Sequence, residues 1–105
     1  MNNESEGNTG DERSDYTITS RVIHKGPLRI CCVLLAADGN NEDCQIYDGE
    51  NANGELKCHL ESLSGTSFSW GPGLNVKFNI GLYIAVRSAT SKVTVTYRPI
   101  SPKEA

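Results

Sequence analysis

From Tyr16 onward the chain alternates apolar and polar side chains with a period of two, the pattern of half-buried β-strands. Tyr16-Thr17-Ile18-Thr19-Ser20-Arg21-Val22-Ile23 is rich in β-branched residues and reads as a first strand. Leu28 to Ala37 is apolar on both faces beyond Ile30, which predicts a central strand covered on both sides. Cys44-Gln45-Ile46-Tyr47 is a short strand. Across Glu55–Glu61, alternation sends Leu56, Cys58 and Leu60 inward and Glu55, Lys57, His59 and Glu61 toward water. Phe68 and Trp70 share a face. Leu74, Val76, Phe78 and Ile80 form another series, which Leu82, Ile84 and Val86 continue past a bulge or bend at Gly81. Val93, Val95 and Tyr97 mark the last strand, stopped by Pro99 and Pro102.

Turn signals separate these runs: Gly26-Pro27, the acidic stretch Asp38-Gly39-Asn40-Asn41-Glu42-Asp43, Asp48-Gly49, Asn53-Gly54, Ser64-Gly65 and Gly71-Pro72-Gly73. Asn53-Gly54 predicts a tight hairpin with a positive φ at Gly54. No segment shows a convincing helical period. Seven to eight short strands with a turn roughly every ten residues predict an all-β domain over residues 15–105. Its expected form is a single antiparallel β-sandwich, jelly-roll or Greek-key-like. Residues 1–14 are polar and aperiodic, which predicts a disordered or extended N-terminal arm.

A chain of 105 residues is a one-domain length. Its net charge of −3 argues against the basic stripe that nucleic acid requires. The longest apolar run, Ile30–Ala37, is too short to cross a membrane. The acidic start Met1-Asn2-Asn3-Glu4-Ser5-Glu6 lacks the apolar core of a signal peptide, which predicts a cytosol-like compartment. There Cys31, Cys32, Cys44 and Cys58 are expected as free, buried thiols. Strand alternation puts Cys31 and Cys32 on opposite faces, unsuited to gripping one zinc ion.

Signals for chemistry are sparse, and neither an enzyme, a cofactor nor a metal site is predicted. His59 belongs to a polar strand face, and His24 closes the first strand beside a turn. Cys58 and His59, adjacent in a strand, point apart and make a poor dyad. The glycines at 71, 73 and 81 lack phosphate-loop spacing. The acidic residues Asp38, Glu42, Asp43, Asp48 and Glu50 fail the EF-hand pattern, whose glycine and terminal glutamate positions fall on Asp43 and Gly49. Trp70, just before Gly71-Pro72-Gly73, is read as a core residue or an exposed contact anchor.

Tyr47-Asp48-Gly49, then Gly81-Leu82-Tyr83-Ile84 and the closing Val93-Thr94-Val95-Thr96-Tyr97 form a layout over residues 15–99. This layout resembles small β-sandwich virion proteins of tailed bacteriophages, of the head decoration (cement) or fibre-base type. The resemblance implies a capsid decoration protein made in the bacterial cytoplasm and resident in the virion. It would bind the major capsid protein or another virion protein as a homo-oligomer, a trimer or dimer, with no nucleic-acid or membrane partner. Asn2, Asn3 and Arg13 in the arm, with Tyr16 and Trp70, are the expected contact residues. A tail or head–tail joining role belongs to the same class. A carbohydrate-binding or adhesin-like module is the alternative of another kind. It would use a platform including Trp70, with Tyr47 or Tyr83, and calcium in the acidic loops.

Overall fold

The computed structural model of the chain describes residues 12–37, 41–86 and 91–101. They contain nine strands: β1 (Arg13–Thr17), β2 (Arg21–Lys25), β3 (Leu28–Ala37), β4 (Glu42–Asp48), β5 (Glu55–Ser62), β6 (Ser67–Trp70), β7 (Val76–Phe78), β8 (Gly81–Val86) and β9 (Ser91–Pro99). One antiparallel sheet runs β1-β9-β3, with β6 and β7 sharing the far side of β3. The other runs β2-β8-β4-β5. The pairing is nested: β1 with β9, β2 with β8, β3 with β6 and β7, and β4 with β5. A ribbon folded back at the β4–β5 connection and rolled across itself has this order, which is that of a jelly roll.

Period-2 patterning supplies the core. Leu28, Ile30, Val33 and Leu35 of β3, with Phe78, Val93, Val95 and Tyr97, meet Cys44, Ile46, Leu60, Leu82 and Ile84 of the second sheet. Each fully buried aliphatic or aromatic side chain contributes about 1.5–3 kcal/mol.

The structure departs from simple alternation at several points. The stretch 16–23 is two strands. The Thr17 hydroxyl donates to the Thr19 carbonyl (2.7 Å) and accepts from the Thr19 amide (3.1 Å), so the chain turns and changes sheet. β1 begins at Arg13, so Arg13 and Ser14 belong to the ladder and not to the arm; residues 1–11 lie outside the described residues. β3 is covered on one face only among the described residues, and Leu34 on its outer face is 41% exposed. A bulge between Ile30 and Cys32 places both cysteines between inward Ile30 and Val33. They therefore do not point to opposite faces.

A second bulge, between Ile46 and Tyr47, shifts the register against β5. Leu56 is consequently exposed, while Lys57 swings over the buried Phe78 ring (Nζ to centroid 5.8 Å). The 74–80 series is also broken. Leu74 sits in a turn at φ 73°, and Ile80 lies exposed where the chain crosses between sheets. Gly54 does not have a positive φ. It ends the longer connection 49–54, where its amide donates to the Asn51 carbonyl (3.2 Å).

Candidate functional site

Of the residues expected to contact a partner, those described do not form one patch. Asn2 and Asn3 lie outside the described residues. Arg13 and Tyr16 lie on the outer edge strand β1, opposite Tyr97 and Thr94 respectively, and Tyr16 is 54% exposed. Trp70 lies on β6 at the other edge of the same sheet, opposite Val33, and packs its side chain against the core. Three inter-strand steps separate the edges, about 14 Å. Trp70 also shares no platform with Tyr47 and Tyr83, which pair across β4 and β8 in the other sheet. Those two rings are 6.2 Å apart and tilted by 54°, and the Tyr47 hydroxyl donates to Gln45 (3.1 Å).

The motif residues do converge, on a structural knot. Asp48 is buried, and its carboxylate accepts three backbone amides: Asn79 (3.0 Å), Ile80 (2.8 Å) and Gly81 (3.3 Å). The Gly49 amide donates to the Gly81 carbonyl (3.0 Å). A Cβ on Gly81 would lie 2.9 Å from the His24 carbonyl oxygen and 3.0 Å from that of Gly49, so β2, β8 and the 49–54 connection meet there only around glycine. Tyr-Asp-Gly and Gly-Leu-Tyr are thus neighbours that hold the crossover from β7 to β8.

The described acidic loop residues are not gathered at one point. Asp38 is outside the described residues, Asp48 is engaged as above, and buried Glu42 accepts from the Ser91 hydroxyl (2.8 Å). The His24 ring lies against that of Tyr97, centroids 5.4 Å apart and tilted by 46°. Burial, then the nearby Arg13 guanidinium, holds the His24 imidazole below its usual pKa of 6.5. All four thiols are free, as expected; Cys44 is fully buried, whereas Cys31, Cys32 and Cys58 are only partly buried, Cys58 packing against the core. Burial, followed by the charges of Cys58 and Asp43, pushes Cys44 up to about 12. His59 is exposed as expected, and its Nε2 lies 3.1 Å from Asp43 Oδ2 and 3.9 Å from Glu61 Oε2.

The outer face of the first sheet carries features the linear sequence concealed. Arg29 on β3 pairs in register with Arg98 on β9 and with Lys77 on β7, a lateral row of three cations. Like charges directly opposite one another on a sheet are unfavourable by themselves. The residues are far apart in the chain, so only strand register reveals the row. Tyr16 and Leu34 are also uncovered on this face, while Phe68 (54%), opposite the inward Leu35 on the edge strand β6, and Leu63 (68%), after β5, are exposed elsewhere. In comparisons with known proteins, the chain matches no family model, no curated protein and no solved structure.

Proposed function

We propose that this chain is a structural protein of a tailed-bacteriophage virion, a capsid decoration protein that binds the assembled shell. The observation that carries the reading is a jelly-roll sandwich of modest size with several large apolar side chains left uncovered at its margins. Exposed large apolar side chains can serve as anchors in a contact surface. Jelly rolls recur in viral capsid and lectin domains, and here they enter as fold-level analogy alone. The Tyr47-Asp48-Gly49 and Gly81-Leu82-Tyr83 layout adds the link to phage virion proteins. The docking face on this reading is the outer face of β9, β3 and β7, where the Arg98–Arg29–Lys77 row would meet carboxylates of the shell and Leu34 would be covered.

Co-sedimentation with empty shells of the same phage's major capsid protein tests it. The wild-type protein is expected to pellet with shells and to run as a discrete dimer or trimer by light scattering. Arg29→Glu combined with Arg98→Glu is expected to weaken shell binding at least tenfold with the β circular-dichroism spectrum retained. Failure of the wild-type protein to pellet with shells removes the decoration role. Binding to tails in place of shells moves the protein to the tail or head–tail joint.

A further inference from the structure

We infer that Asp43, His59 and Glu61 form a binding site for a first-row divalent cation of the zinc class on the outer face of the β4–β5 hairpin. The site follows from register. Asp43 pairs with Glu61 and Gln45 with His59, so His59 is diagonal to Asp43 and two residues from Glu61 on the same face. The three side chains bring His59 Nε2, one Asp43 oxygen and one Glu61 oxygen within 4.8 Å of one another. Ligand bonds of about 2.0–2.2 Å place neighbouring donor atoms roughly 3–4 Å apart around such an ion. The His59–Asp43 separation of 3.1 Å and the His59–Glu61 separation of 3.9 Å already fall in that range. Glu61, with a side chain 75% exposed, can close the remaining gap by a rotamer change.

One further feature favours a cation. An open cleft lined by Asn41, Asp43, Glu61 and Leu63 adjoins the trio and leaves room for water to complete the coordination shell. One imidazole with two carboxylates suits zinc, nickel or cobalt better than calcium, which prefers an all-oxygen shell. The inference stands apart from the virion reading, because it concerns the second sheet and needs no shell.

Isothermal titration of the full chain with zinc chloride, with reductant that does not bind zinc, tests the site. Four free cysteines offer a competing site, so the wild-type protein is compared with Cys31→Ser/Cys32→Ser, His59→Ala and Glu61→Gln. Saturable one-to-one binding is expected, weakened at least tenfold by His59→Ala and several-fold by Glu61→Gln. The cysteine pair variant should bind within twofold of the wild type. His59 and Glu61 are surface positions, the two cysteines are partly buried, and unchanged melting of the metal-free variants confirms that each is folded. Unchanged affinity in His59→Ala, loss of binding in the cysteine variant, or no wild-type binding at millimolar zinc would overturn the site.

Discussion

Removing the Asp48 carboxylate should cost more stability than any other single polar change in the described fold. The side chain is buried and accepts the amides of Asn79, Ile80 and Gly81 at 3.0, 2.8 and 3.3 Å. Hydrogen bonds to a charged group contribute about 1.5–3 kcal/mol each, and an orphaned buried donor adds a desolvation cost. The three do not add. They share one acceptor group, the Gly81 bond is long, and water can reach the amides of exposed Asn79 and Ile80. Asp48→Ala is therefore expected to lose about 3–4 kcal/mol. Asp48→Asn keeps one accepting oxygen for Ile80 and Gly81 but turns its amide toward the Asn79 N–H, for a loss of about 1–2 kcal/mol. With about 4–8 °C per kcal/mol for a domain of this size, Asp48→Ala should melt at least 10 °C lower. Urea unfolding followed by tryptophan fluorescence and circular dichroism measures both variants. If Asp48→Ala and Asp48→Asn both fall within about 0.5 kcal/mol of the wild type, the carboxylate does not organise the β7–β8 crossover.

Gly54 tests whether close approach or backbone sign demands glycine. A Cβ there would sit 2.4 Å from the Asp48 carbonyl oxygen, so Gly54→Ala and Gly54→Asn should both lose about 1–3 kcal/mol in chemical denaturation. Asparagine faring clearly better than alanine would restore the left-handed turn. His24 gives a pH signature. Its folded pKa is depressed, so the unfolded chain binds the extra proton, and stability falls as pH drops below about 6.5. The difference in unfolding free energy between wild type and His24→Gln should change between pH 7.5 and 5.5, and a constant difference would refute the assignment. Cys44 behaves oppositely. Its folded value of about 12 exceeds the ordinary 9.0, so stability is lost as pH rises above 9, and Cys44→Ala should remove that slope. At pH 8 a thiol reagent read out by peptide mass spectrometry should spare Cys44, and equal labelling of Cys44 and Cys58 would show that the core is open. Deleting residues 1–11 should leave the melting temperature unchanged, because β1 starts at Arg13, yet weaken shell attachment; equal attachment would dismiss the arm as a contact.

The fold class was legible because a sandwich core depends on period two, and the long strand β9 carries that period plainly. Val93, Val95 and Tyr97 point inward as alternation predicts. Alternation misled where the backbone inserts a residue. The bulges at Cys31 and opposite Ile46 change the face of every side chain beyond them, which explains the shared face of Cys31 and Cys32 and the exposed Leu56. Nothing local marks either bulge, since the extra residue is defined only relative to a partner strand. The missed break at Ile18–Ser20 has a local cause, the Thr17 hydroxyl turn, but threonine-rich stretches favour strands as readily.

Site residues were harder to read for a related reason. The motifs that stood out, Tyr47-Asp48-Gly49 and Gly81-Leu82-Tyr83, serve architecture: Asp48 is spent on three amides, and Gly49 and Gly81 meet where a side chain would collide. A short motif needed to close a rolled ribbon can recur in any jelly roll, so its presence speaks to fold before function. The groupings with chemical potential carry no motif. Arg29, Lys77 and Arg98 become a row, and Asp43, His59 and Glu61 a trio, only through cross-strand register. The row is the part of the proposed docking face that an acidic surface would meet, and the trio sets three possible ligand atoms within 4.8 Å of one another. On a sheet, a functional surface is written across the strands, perpendicular to the direction in which a sequence is read.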